Sequence, residues 1–304
     1  MAMEFRTLRV FVEVVRAGGF SAAAGRVHAT QSTISKAVRQ LEDEIGMPLL
    51  IRGPAGIALT AAGEIVFQRA QTLLAGRETL KTELQELAGL KRGLLRIGLP
   101  PIGSSELFAP VFTLYRQRYP GVDIKLVEHG SDRLEELLRA SEIDLAASLL
   151  PVSEEFDWLA MRRDPLVALM ATDAPLAQAP GPLTLDDLRS MPFILFDSGF
   201  ALNRIIRAAC ARHGFEPEVT ARSSQIDFII RLAAAGLGVA FLPRLIARAR
   251  VHVPVAQVPL DEPGTDWAMA TLWRRGAYLP QAARAWLDIA AGDPARTAEG
   301  PEQD

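Results

Sequence analysis

The chain has 304 residues, 49% of them apolar and 23% charged, with a net charge of −3. That is enough for two or three globular domains, and too apolar for a disordered chain. A single cysteine, Cys210, excludes an internal disulfide and any CxxC metal or redox site, and no apolar run is long enough to span a bilayer.

The net charge conceals an asymmetry. Residues 1–92 hold twelve basic and nine acidic side chains, so the rest of the chain carries a net −6. A mildly basic head on an acidic body suits a module that touches nucleic acid at one end. The opening segment, Glu4 to about Ala17, reads as an amphipathic helix with Leu8, Phe11, Val12 and Val15 on its buried stripe, ended by Gly18-Gly19. Glu4 and Glu13 interrupt it, so it lacks the continuous apolar core of a signal peptide, and a cytoplasmic protein is expected.

From Phe20 to Gly46 the pattern is two short helices with a tight connection. Ser21 is a cap candidate for the first, which ends near His28; Thr30 caps the second, which runs to about Ile45. Ile34, Val38, Leu41 and Ile45 share one face of that second helix. The opposite face carries Ser32, Lys36 and Arg39, with Gln31 and Ser35 at its edges. From Val14 to Leu41 there are four basic residues and no acid. Short side chains let a helix approach base edges, while amide and basic donors read purines or hold phosphates. The pattern has the form of a helix-turn-helix, against the plainer reading of an amphipathic helix pair with a solvated face. Two short apolar runs around Gly53-Pro54-Ala55-Gly56 then predict a hairpin, a wing in which Arg52 reaches a phosphate or the minor groove.

Thr60 to Leu90 reads as one long helix. Val66, Ala70, Leu73, Arg77, Leu80, Leu84 and Leu87 fall at heptad positions, which predicts pairing with a second copy. After a linker at Lys91-Arg92-Gly93 the period alternates. Strands are predicted at 94–99, 122–128 and 143–149, with helices at 104–118 and 132–140, a parallel sheet covered by helices. Residues 159–171 read as one strand crossing into a second lobe, with strands near 193–196, 218–222 and 239–243 and helices at 201–213 and 226–235. The segments 267–273 and 281–290 are expected to return and close the first lobe. Gly236-Leu237-Gly238 lies between a helix and a strand, the reverse of a phosphate loop, so the two glycines are read as structural. Enzyme signatures are weak: no GxSxG, HExxH or Walker pattern is present, and the four histidines lack metal spacing. No catalytic residue, metal or cofactor is expected, and Cys210 reads as a buried structural thiol.

The order of a helix, AGGFSAAAGRVHATQSTISKAVRQLEDEIGMPLLIR, a wing, LTAAGE and a long helix resembles the LysR-type transcriptional regulators, over essentially the whole chain. Two positions depart from the usual pattern: Leu50, where Phe is common, and Gly25, where most members carry a helix former. The resemblance implies an α/β protein overall. It would have a winged helix-turn-helix at 1–60, a dimerising linker helix at 61–92, a two-lobed effector domain at 93–292 like a type II periplasmic binding protein, and a tail at 293–304. Lobe one would take 93–163 and 267–292, lobe two 164–266. It further implies a homotetramer that binds and bends promoter DNA, with RNA polymerase as a further partner and a small-molecule effector in the interlobe cleft. The DNA-reading residues would be Gln31, Ser32, Ser35, Lys36 and Arg39, with Arg52 in the wing. The cleft would be lined by Pro101, Gly103, Ser104, Ser105, Ser131, Ser148, Ser198 and Phe200, a serine-rich set at helix starts that favours a small organic or aromatic acid. Arg204 is the best arginine to pair with a carboxylate. The competing readings are a solute-binding receptor, which the two-lobed half alone would permit, and an enzyme using the cleft.

Overall fold

The computed structural model describes residues 3–53, 56–86 and 93–292. Leu87, Lys91, Arg92, the wing-tip residues Pro54 and Ala55, and the tail 293–304 lie outside them. The described residues form two compact units, one built on the residues up to 86, the head, and one holding nearly all of those from 93 on, the body.

In the head, α1 (Phe5–Arg16), α2 (Phe20–Arg26) and α3 (Gln31–Ile45) enclose a core of Leu8, Phe11, Val12, Val14, Ala23, Ile34, Val38 and Leu41. Val14 is fully buried where the periodicity points to Val15, which is only half-buried. The start of α2 also differs: Gly19 is its N-cap, and Ser21 lies inside the helix. Thr30 caps α3 as expected, its Oγ1 accepting the Thr33 amide at 3.2 Å, and Gly46 ends the helix in the left-handed conformation at φ 76°. The wing is an antiparallel pair, β1 (Leu50–Gly53) and β2 (Gly56–Leu59).

The helix α4 (Ala61–Glu86) follows. Thr60 starts it, accepting the Gly63 amide on Oγ1 at 2.9 Å and donating to the Pro48 carbonyl at 2.7 Å. The predicted seam is divided. Ala70 is buried against the head core, with Val66, Phe67 and Leu74 packed beside it, while Leu73, Leu80 and Leu84 are 50%, 57% and 60% exposed. Ile65, at 63%, joins that exposed row. The first turns of α4 pack on α1, so their heptad residues are used within the chain.

The body begins with β3 (Gly93–Leu99), α5 (Ser104–Arg118), β4 (Val122–Glu128), α6 (Ser131–Arg139) and β5 (Leu145–Leu149). It continues through β6 (Phe156–Asp164) and β7 (Leu166–Met170). The expected single strand 159–171 is thus two strands, separated by Pro165, which has no amide to donate to a ladder. The second lobe adds β8 (Phe193–Phe196), α7 (Ala201–Arg212), β9 (Val219–Ser223), α8 (Ile226–Ala234), β10 (Ala240–Pro243), α9 (Arg244–Arg250) and β11 (Ala256–Pro259). The chain returns through β12 (Trp267–Arg274) and α10 (Gln281–Ala291). The sequence reading did not anticipate α9 or β11.

One five-stranded sheet has the order β4-β3-β5-β12-β6, with β3 parallel to β4 and β5, and β12 antiparallel to β5 and β6. β12 thus lies within the sheet that β3 begins, and α10 packs on α5 and β3. The other lobe holds the three-stranded sheet β10-β7-β11 and the parallel pair β8-β9. Side chains alternate between two faces along β5. Leu145, Ala147 and Leu149 enter one core, and Ala146 joins α6 in the other, so Ser148 shares the α6 side. Gly238 (φ 154°) ends a turn where an added Cβ would lie 2.3 Å from the Pro192 carbonyl oxygen, which fixes its structural role.

Candidate nucleic-acid interface and effector cleft

The head presents α3 with its apolar stripe inward and its first turns outward. Ser21 Oγ on α2 donates to Gln31 Oε1 at 3.2 Å, which fixes the amide at the start of α3 and leaves its NH2 group unpaired among the described residues. Ser32 Oγ is 2.9 Å from Thr30 Oγ1. Lys36 and Arg39 are exposed and have no ion-pair partner among the described residues. Ser35 is half-buried beside them, and Gln40 Nε2 donates to Glu44 along the helix at 3.2 Å. Gln31, Ser32, Lys36 and Arg39 thus form an unneutralised row on one side of α3. Arg52 lies in β1, its backbone opposite Ile57; its side chain lies outside the described part.

Two residues that hold this face were not legible as functional. Glu42 accepts the Leu49 and Leu50 amides at 2.8 and 3.2 Å, which ties the end of α3 to the start of the wing. Gly63 lies so close to the Leu49 carbonyl that a Cβ would stand 2.0 Å from its oxygen. Only the fixed spacing of LE, LT and AG hints at either.

In the body, the loop before α6 meets the loop before α7. The Asp132 amide donates to the Gly199 carbonyl at 3.1 Å, and a Cβ on Gly130 would be 2.7 Å from the same oxygen. The second loop is fixed by Asn203, which donates to the Phe196 and Asp197 carbonyls at 2.9 Å and accepts the Phe196 amide at 3.1 Å. Phe200 is buried and stacks on Phe196, with ring centroids 5.2 Å apart.

A charged group runs beneath this junction. Arg204 Nη1 lies 2.9 Å from Asp132 Oδ1, and Nη2 lies 4.0 Å from Glu135 Oε1. Buried Glu135 accepts from fully buried Ser148 at 2.9 Å and pairs with Arg139 at 3.5 Å. Ser131 is buried at the start of α6, and its hydroxyl has no partner among the described residues. The geometry therefore brings together Ser131, Ser148, Phe200 and Arg204. Others of the predicted set are engaged elsewhere. Ser104 donates to the Pro100 carbonyl. Ser105 donates to Glu106 at 2.9 Å and accepts from Arg250 of α9 at 2.7 Å. Pro101 is half-buried, and Gly103 (φ 87°) lies against Trp267, whose ring carbon would be 2.4 Å from an added Cβ. Ser198 is exposed and unbonded among the described residues. The carboxylates were missed. Their signal was the Ser131, Glu135, Arg139 spacing of four, which puts all three on one face of α6.

Cys210 is buried, and burial pushes its thiol up to about 11, so it is inert at neutral pH. Among the described residues no group of three or more His, Cys, Asp or Glu could hold a metal ion, and no helix is long and apolar enough to cross a membrane.

Residues 5–64 match the model for bacterial regulatory helix-turn-helix proteins of the lysR family, and residues 88–293 match the LysR substrate binding domain. The chain belongs to the LysR family. Its similarity to other LysR regulators extends over nearly its full length. It is 34% identical to the HTH-type transcriptional regulator YwbI of Bacillus subtilis, across 94% of this chain and 95% of that protein. It is 31% identical to the Hca operon transcriptional activator HcaR of Escherichia coli, across 91% and 94%. Among solved structures it is similar to a full-length OxyR point variant from Pseudomonas aeruginosa, at 25% identity and a TM-score of 0.68, with 99% of both chains covered. As a LysR regulator it is a DNA-binding transcriptional regulator with an effector-binding domain, in a family of regulators rather than enzymes. The solute-receptor reading is set aside, because it leaves the matched helix-turn-helix without a role.

Proposed function

We propose that this LysR regulator works in the cytoplasm as a homodimer or homotetramer that reads a two-fold promoter site. In this reading Gln31, Ser32, Ser35, Lys36 and Arg39 enter the major groove, and Arg52 reaches the backbone or minor groove beside it. The observation that carries it is the row on α3, exposed and without a neutralising partner among the described residues. Cations elsewhere on the chain are commonly paired, as Arg96 is to Asp144 and Arg212 to Glu262. Dimerisation is supported by the exposed row Ile65, Leu73, Leu80 and Leu84 on α4. A head at 1–60, a linker helix at 61–92 and a two-lobed body at 93–292 serve reading, pairing and sensing. DNA bending couples the site to RNA polymerase.

The effector is a small organic acid, aromatic ones included, bound where the two lobes meet. Support comes from the unpaired Ser131 hydroxyl at a helix start and from Arg204, which a carboxylate can draw from Asp132. DNase footprinting of the region upstream of its own gene is the test. Two protected half-sites, about one or more helical turns apart, are expected. Uniform, sequence-independent protection would overturn the reading.

A further inference from the structure

We propose that a cationic groove beside α3 is a second seat for the DNA backbone, holding a phosphate next to the groove that α3 reads. It rests on the DNA-binding reading above. The groove has a volume of about 410 Å³ and lies among the start of α1, the turn after α2 and one flank of α3. Arg6 and Arg9 line it from α1, Arg26 and His28 from the end of α2 and the turn, and Lys36 from α3, against one acid, Glu4. None of Arg6, Arg9, Arg26 or Lys36 has a hydrogen-bond or ion-pair partner among the described residues, and all four are exposed. The α1 terminus adds to this. It has no acidic residue in its first turn, and Glu4, its N-cap, makes no side-chain cap. The first amides of the helix are therefore free to face an anion.

The occupant follows from position. With about 100° per residue, Ser32, Lys36 and Arg39 share the reading face, while Thr33, Lys36, Ala37 and Gln40 form the adjoining face that lines the groove. Lys36 belongs to both. A duplex engaged by the reading face therefore brings one of its backbones alongside the groove, and four cations there meet the phosphates. Such contacts fix register and add affinity without reading bases. His28 holds the turn at φ 50°, in the left-handed region.

The test uses the full chain and fluorescence anisotropy over a range of KCl concentrations. One duplex carries the upstream region and the other a shuffled sequence of the same length. Because phosphate contacts need no sequence, the shuffled duplex reports on the groove even where promoter recognition fails. Arg6→Gln with Arg9→Gln is expected to weaken binding to both duplexes by the same factor, about tenfold. It should also flatten the plot of log K against log salt by roughly 1 for each phosphate contact removed. Glu4→Gln should do the opposite, strengthening both about twofold, a gain that misfolding cannot produce. An unchanged salt slope in the double variant overturns the proposal. So does stabilisation of the wild type by inorganic pyrophosphate alone, with DNA affinity unaltered by the arginine changes, since the groove would then serve a free anion.

Discussion

Gly63 and Gly25 are both helical glycines of the head, and their surroundings predict opposite outcomes. A Cβ on Gly63 would stand 2.0 Å from the Leu49 carbonyl oxygen, a backbone atom that cannot move aside without displacing the wing. Gly63→Ala is expected to cost at least the ~1–3 kcal/mol of an overpacked site, read as a lower melting temperature of the head. Nothing lies within 4 Å of the Cβ position on Gly25, where the backbone is helical. Gly25→Ala should stabilise by about 0.5–1 kcal/mol through helix propensity. The departure of Gly25 from the family pattern is thus a local weakness, whereas the glycine of LTAAGE is a steric requirement. Cys210 gives a pH prediction. Its thiol is raised from 9.0 to about 11, with burial the largest cause. A raised acid favours its protonated form in the folded state, so its contribution is complete below pH 9 and is lost as pH rises toward 11. Alkaline denaturation should show that loss, and Cys210→Ala should flatten the curve in that window.

At the scale of elements, the helices α3 and α5 were legible because their signals are local. Thr30 and Gly46 bracket one, and Gly103 and the Arg118-Tyr119 end bracket the other. The split of residues 159–171 was not read, because continuous apolar sequence masked the single missing amide of Pro165. The short elements α9 and β11 were also missed. α9 has seven residues, three of them arginines, and β11 has four at a sheet edge, too short for either to establish a period. The cleft was legible only in part. Helix-start serines show in a linear pattern, but the pairing of Asp132 with Arg204 joins residues 72 apart, and only packing reveals it. The heptad positions of α4 are divided, with the first turns serving the head core. What remains exposed predicts the pairing surface. Leu73→Glu with Leu80→Glu should convert the proposed dimer to monomers in light scattering, since apolar seams do not tolerate paired buried charges. The single-chain head should keep its helical circular dichroism.

At the scale of the whole molecule, one unit carries the helix-turn-helix, and in the other two loops are linked by Asp132, Gly199 and Arg204. On the proposed reading, an acid that takes Arg204 competes with Asp132, which would couple its binding to the contact between the lobes. A thermal-shift screen of small carboxylates should find stabilising compounds, and Ser131→Ala should abolish the shift; a flat response would remove the acid reading and leave DNA binding untouched. Promoter reading is proposed to rest on α3. The most direct measurement is the affinity of the full chain for its upstream region, by anisotropy at fixed salt, for the wild type and for Lys36→Ala with Arg39→Ala. Loss of two charge-assisted contacts, at roughly 1–3 kcal/mol for each specific contact, predicts a weakening of about thirtyfold or more, with helical content unchanged. Equal affinity in the two proteins would contradict the assignment of α3 as the reading helix.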